Sequence, residues 1–81
     1  MQLDVKLFAS VREAIGSESV PVTLPSGGRV GDLVDELCRL YPAIEPQRAA
    51  LGVAINHAMV GPMQELTPGD EVALIPPVGG G

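Results

Sequence analysis

The sequence is poor in aromatic residues and cysteine, and both shortages limit what the protein can be. Phe8 and Tyr41 are the only aromatic residues among 81, so the core must be built from aliphatic side chains. Cys38 is the only cysteine, which excludes an internal disulfide and a multi-cysteine zinc site. The one histidine, His57, has no suitably spaced partners, so the sequence predicts no metal site.

Long hydrophobic runs and excess positive charge are also missing. No apolar stretch is long enough to cross a bilayer, and the first residues lack the order of a signal peptide. We therefore expect a cytoplasmic protein. The net charge of −5 argues against nucleic acid or a membrane as a partner and favours a basic protein surface.

The apolar residues that are present follow strand and helix periods. Residues 2–8 alternate between apolar and polar and predict a half-buried strand, and residues 20–24 predict a second. Pro21 places this second strand at a sheet edge, because proline cannot donate to a ladder. Ser10 and Glu13 have the spacing of a capping box, which predicts a short helical turn over residues 11–15. The stripe of a main helix follows, formed by Val30, Leu33, Val34, Leu37 and Tyr41.

The second half of the chain contains three short predicted strands, over residues 52–55, 58–60 and 71–75. Asn56 and His57 predict a tight turn between the first two, and residues 67–70, "TPGD", predict a type II turn before the third.

These elements predict an α+β fold of the β-grasp type. We expect a mixed sheet of about five strands, with the first and last strands adjacent and one main helix packed on one face. Residues 1–76 form the predicted domain, and residues 77–81 form a flexible C-terminal tail.

The body of the predicted domain offers little chemistry. Cys38 is expected to be a small buried hydrophobe, His57 a solvated turn residue, and the carboxylates are scattered without a base partner. The end, "PPVGGG", is different, because three glycines without side chains could pass a narrow tunnel. Its functional group is the α-carboxylate of Gly81, which reacts only after activation, for instance as an acyl-adenylate. A frayed terminus is the alternative interpretation.

Three stretches of the sequence resemble the ubiquitin-like sulfur-carrier (MoaD/ThiS) family, which includes the small subunits of molybdopterin synthase and the thiamin-pathway carrier. They are "LFASVRE" (7–13), "VAIN" (53–56) and "LTPGDEVALIPPVGGG" (66–81). The resemblance implies that Gly81, preceded by Gly80, is adenylated by an ATP-using enzyme of the ubiquitin-activating type. The glycine then becomes a thiocarboxylate that donates sulfur to a cyclic pyranopterin phosphate to form the molybdopterin dithiolene.

The resemblance also implies a partner and its contacts. The chain would be a non-catalytic subunit with no bound cofactor or metal, and the active site would lie in the large subunit of a heterotetrameric sulfurtransferase. Phe8 and Ile75 are out of register with the core-facing residues of their strands, which favours an exposed apolar patch over a second minor core. The implied partner-binding residues are Phe8, Arg12, Met59, Ile75, Pro76, Pro77, Val78 and Gly79. Gly79 stands where the family often has a side chain, and Met59 where it often has a branched aliphatic residue.

Three alternatives remain open from the sequence. The chain could carry sulfur for thiamin or cysteine biosynthesis, it could be a ubiquitin-like protein modifier, or it could be a plain interaction module. The sulfur source and the choice of molybdenum or tungsten are not encoded in these residues.

Overall fold

A five-stranded mixed sheet organises the protein, and the structure, a computed structural model, describes residues 1–77. The strands are β1 (Gln2–Leu7), β2 (Ser19–Thr23), β3 (Gly52–Ile55), β4 (Ala58–Val60) and β5 (Val72–Ile75). The helices are α1 (Ala9–Ile15) and α2 (Val30–Leu40), and a 3-10 segment covers Pro42–Ala50. The predicted tail positions Val78, Gly79, Gly80 and Gly81 lie outside the described residues.

The strand order is β2-β1-β5-β3-β4, which confirms the predicted β-grasp arrangement. β1 pairs parallel with β5, with Leu7 opposite Leu74, so the first and last strands are adjacent as the sequence predicts. The remaining pairs, β1–β2, β3–β4 and β3–β5, are antiparallel. β2 lies at one edge and carries Pro21 there, where a missing N–H breaks no inner ladder.

The core lies between one face of the sheet and α2, and apart from Cys38 it is aliphatic. Alternate residues of each strand point into it, and the apolar stripe of α2 covers them. Leu33 and Leu37 are fully buried, whereas Val34 and Tyr41 are half-buried at the margin. The 3-10 segment closes one side by burying Ile44. No charged or polar side chain is buried within residues 1–77.

The turns form where the sequence places residues that tolerate positive φ. Gly16 ends α1 at φ 82°, and Gly69 adopts φ 90° in a turn closed by a 3.1 Å hydrogen bond from the Asp70 N–H to the Thr67 carbonyl. Asn56 (φ 50°) and His57 (φ 72°) both lie in the left-handed region, as a two-residue type I′ hairpin turn requires.

The predicted start of α1 is wrong. The helix begins at Ala9, and its extended N-cap residue is Phe8, so Ser10 lies in the first turn instead of capping it. The Ser10 hydroxyl donates to Gln47 Oε1 at 2.7 Å and ties α1 to the 3-10 segment. A capping-box spacing cannot show which residue has the extended backbone that a cap needs.

The start of α2 is stabilised in a way that its poor N-cap residue, Arg29, does not suggest. Asp32 Oδ2 accepts a 2.9 Å hydrogen bond from the backbone N–H of Arg29. The carboxylate also lies in the first turn, where it interacts favourably with the helix dipole. Both helices are short, and neither they nor any other helix within residues 1–77 has the length and apolarity to cross a membrane.

Candidate partner-docking surface

The sheet has one face that α2 does not cover, here called the open face. The strand alternation that points Leu7 and Leu74 into the core points Lys6, Ala73 and Ile75 the other way. The open face carries Lys6, Ala54, Met59, Glu71, Ala73 and Ile75, with Phe8 at the end of β1. It is therefore built by the same strands that build the core.

Large apolar side chains are exposed on this face. Phe8 is 45% exposed and Met59 63% exposed, while Ile75 is half-buried between them. An exposed group of large apolar side chains on a small protein is typical of an interaction site. The structure thus brings together the three residues that the resemblance implies as partner contacts, and they do not form a second core.

The centre of the open face is a depression of about 280 Å³. Ala54 and Ala73, which are opposite each other on β3 and β5, form its floor. Phe8, Met59 and Ile75 form its apolar walls. A Cβ added to Gly52 would lie 2.6 Å from the terminal carbon of Met59, so glycine is what allows the methionine side chain to lie across β3.

One end of the depression is polar. The Glu71 carboxylate is held from two sides, with Lys6 Nζ at 3.2 Å from Oε1 and His57 Nε2 at 2.9 Å from Oε2. All three side chains line the depression. His57 is an exposed turn residue, as the sequence predicts, and it also contacts a carboxylate at the rim of the open face, which the sequence did not indicate.

Asn56 fixes this polar end to the backbone. Its Oδ1 accepts from the Glu71 N–H at 3.0 Å, its Nδ2 donates to Asp70 Oδ1 at 3.2 Å, and its own N–H donates to the Glu71 carbonyl at 2.8 Å. The β3–β4 turn thus holds the start of β5, whose other end leads into the prolines.

The other predicted contacts lie around this surface. Arg12 is exposed on α1 and lines a second shallow cavity together with Phe8 and Lys6. Pro76 is buried and Pro77 is exposed, so the chain leaves the sheet from beside Ile75. Val78, Gly79, Gly80 and Gly81 are outside the described residues, and their roles stay predictions.

Cys38 is not a reactive thiol. It is 6% exposed in the core. Burial, followed by a hydrogen bond and a charge interaction with Glu45, raises the pKa of its thiol to about 11. The thiolate is the nucleophilic form, so Cys38 is unreactive near neutral pH, in agreement with the sequence interpretation.

A larger cavity of about 600 Å³ lies on the helix side, between α2, the 3-10 segment and β4. Val34, Leu51 and Val60 provide its apolar lining. At its rim the Arg48 guanidinium pairs with Asp35 and lies 3.8 Å from Glu45, which links α2 to the 3-10 segment. Its polar groups are paired with each other, so it offers no group poised for catalysis.

Sequence reasoning missed the small floor of the depression and its polar end. The signal was available in part, because Ala54 and Ala73 occupy outward positions of alternating strands. That these positions are neighbours follows only from the pairing of β3 with β5, which periodicity alone does not determine.

Comparison with known proteins gives a consistent assignment. The ThiS family model matches residues 5–81. The molybdopterin synthase sulfur carrier subunit of Chlamydomonas reinhardtii is 35% identical, and the match covers 100% of both chains. Small archaeal modifier protein 1 of Haloferax volcanii is 33% identical over 98% of this chain and all of its own length.

The crystal structure of the Haloferax volcanii protein superposes on the present fold with a TM-score of 0.89, at 32% identity and over 100% of both chains. The family match therefore extends from the sequence to the arrangement of the strands. The chain belongs to the ThiS family and is a full-length relative of the molybdopterin synthase sulfur carrier subunits.

Proposed function

We propose that this protein is the cytoplasmic sulfur-carrying small subunit of a molybdopterin synthase. The observation that carries the proposal is the full-length identity of 32–35% to sulfur carrier subunits of that enzyme in plant, algal and bacterial species. The open face supports it, because the exposed Phe8 and Met59 lie beside β5, the strand that leads into the predicted tail.

The proposed chemistry belongs to the carboxylate of Gly81. An oxygen of the carboxylate attacks the α-phosphorus of ATP on an activating enzyme and releases pyrophosphate. A sulfide-level donor then attacks the acyl carbon and displaces AMP, which leaves a thiocarboxylate. Gly80 and Gly79 add no side chain to this path, so the end of the chain could enter a narrow active site.

The proposed assembly contains two small and two large subunits, with the catalytic pocket in the large subunit. The large subunit would bind the open face through Phe8, Met59 and Ile75 and receive the tail, residues 77–81, in its pocket. The activating enzyme is the second proposed partner and the only user of ATP, so the carrier itself needs no bound cofactor. Arg12 lies close enough to Phe8 to contribute a charged contact at the edge.

Intact-mass analysis tests the chemistry directly. The purified protein is incubated with ATP, an activating enzyme and a sulfide source, and we expect a mass gain equal to sulfur minus oxygen. Deleting Gly81 should abolish this gain and also sulfur transfer with the large subunit. The matched control is Gly61→Ala, because a Cβ there meets no atom within 4 Å. Full sulfur transfer by the truncated chain would contradict the proposal.

A second candidate function is protein modification. It is favoured by the 33% identity and the TM-score of 0.89 to an archaeal protein named as a modifier. A modifier forms high-mass adducts with lysines of target proteins in cells, whereas a carrier shows only the small mass gain. Carriage of sulfur for thiamin or cysteine biosynthesis is separated by co-purification, since a thiazole synthase would replace the pterin-binding large subunit.

A further inference from the structure

The depression on the open face has a shape and a polarity that limit what can occupy it. Its floor is formed by Ala54 and Ala73, so the surface is concave at the point where two large side chains would have made it flat. Its volume of about 280 Å³ is large enough for one large side chain. A partner with a flat apolar surface would leave it empty, at the cost of lost packing contacts.

The two ends of the depression differ chemically. Phe8, Ile75 and Met59 are at the apolar end, and the Glu71 carboxylate is at the polar end between Lys6 and His57. A carboxylate has about four acceptor sites. Lys6 and His57 contact one oxygen each, so the Glu71 carboxylate keeps acceptor sites for a further donor.

We propose that the depression receives one side chain of the large subunit, apolar along its body and ending in a hydrogen-bond donor: tyrosine, tryptophan or arginine. The body lies against Ala54 and Ala73 under Met59, and the donor reaches the Glu71 carboxylate. These three residue types dominate binding energy where they enter desolvated pockets near the centre of an interface. The inference rests on the proposed function, because it names how that partner recognises the open face.

Met59 makes the depression adjustable. The side chain lies across Gly52 and has no branch, so it can change rotamer as the partner side chain enters. The small floor and the unbranched side chain above it together explain why a methionine at this position suits the interface. A branched residue would fill less of the space above Gly52.

The test fills the depression without adding charge. Ala73→Leu is compared with Ala43→Leu, in which the same change is made at an exposed residue of the 3-10 segment that does not line the depression. Binding to the purified large subunit is measured by calorimetry. We expect Ala73→Leu to weaken binding roughly 100-fold and Ala43→Leu to leave it unchanged. Equal binding by wild type and Ala73→Leu would overturn the inference.

Glu71→Gln tests the polar end, with Glu65→Gln as the control at an exposed carboxylate elsewhere. We expect Glu71→Gln to weaken binding about 10-fold, because a charge-assisted hydrogen bond becomes a neutral one. An unchanged affinity would overturn the assignment of the donor to Glu71.

A measurement on the unmodified protein covers the case in which Ala73→Leu does not fold. The methyl resonances of Ala54 and Ala73 are followed by NMR as the large subunit is added, and both should shift at least as strongly as that of Met59. Unperturbed alanine methyls in a formed complex would overturn the inference. If wild type does not bind the large subunit at all, the proposed function fails instead, and the two failures are thereby distinguished.

Discussion

The two faces of the sheet are made from the same strands but differ in the size and exposure of their side chains. On the covered face, Val5, Leu7, Val72 and Leu74 are at most 2% exposed and pack against α2. On the open face, the residues at the centre are the small Ala54 and Ala73, the charged residues lie at one end, and Phe8 and Met59 stay exposed at the rim.

This difference teaches that alternation along a strand separates stability from recognition. The covered face must be filled by large side chains, because burying apolar area is the main source of stability in a domain of this size. The open face contributes little burial in the free protein, so its composition is free to suit a partner. The following predictions test that separation, beginning with the largest expected effect.

Substitution of Leu33 by alanine should damage the covered face alone. The side chain lies on the buried face of α2 and is fully buried, so the change should lower the free energy of unfolding by about 2–5 kcal/mol. Urea unfolding followed by circular dichroism measures this. The fraction that remains folded should bind the large subunit with unchanged affinity, and a weakened intrinsic affinity would break the separation of the two faces.

Substitution of Phe8 and Met59 by alanine should have the reverse outcome. Met59 is mostly exposed and Phe8 nearly half exposed, so we expect the free energy of unfolding to change by less than about 1 kcal/mol for each substitution. Binding to the large subunit should fall by roughly 100-fold for the pair. Met63→Ala is the matched control, since Met63 is 70% exposed and does not line the depression. Comparable losses for Met63→Ala would show that exposed apolar area, and not the open face, determines binding.

Asn56→Ala should lower stability moderately, because the turn holds the start of β5. It removes the hydrogen bonds from the Glu71 N–H and to Asp70 and leaves alanine at φ 50°. We expect a loss of about 1–2 kcal/mol in the free energy of unfolding. Asn56→Gly keeps the backbone conformation and should recover part of the loss, and thermal unfolding of the two variants separates backbone strain from the lost bonds.

Ala9→Gly should give the smallest change and favours stability. Ala9 has φ 48°, a left-handed conformation that costs a residue with a Cβ about 1 kcal/mol. Glycine relieves that strain but loses more entropy on folding, so we expect a net gain of less than about 1 kcal/mol. Because Ala9 follows Phe8, looser backbone there should weaken binding to the large subunit slightly. A loss of stability would show that the entropy cost of glycine exceeds the strain relieved at Ala9.

The sequence predicts the covered face well because its signals are local. Strand alternation, the stripe on α2 and Pro21 at an edge each depend on a few neighbouring residues, and the structure confirms them. The start of α1 was wrong because a cap depends on backbone conformation at Phe8, which tertiary packing sets.

The candidate site could be predicted only in part, for a related reason. The outward register of Phe8 and Ile75 follows from alternation, so the exposed patch could be expected. The contact of His57 with Glu71 joins residues from two turns, and the floor of the depression joins two strands. Such contacts between distant parts of the chain leave no periodic trace in the sequence.

The position of β5 has a consequence for how the protein is made. This strand is the last described element, yet it lies in the middle of the sheet and forms both inner ladders, with β1 and β3. During synthesis, β1 and β3 therefore lack the strand that lies between them until β5 has been translated. A chain interrupted before residue 75 cannot close its sheet, and cellular proteases would remove it. Only polypeptides that have been translated through β5 can therefore complete the fold.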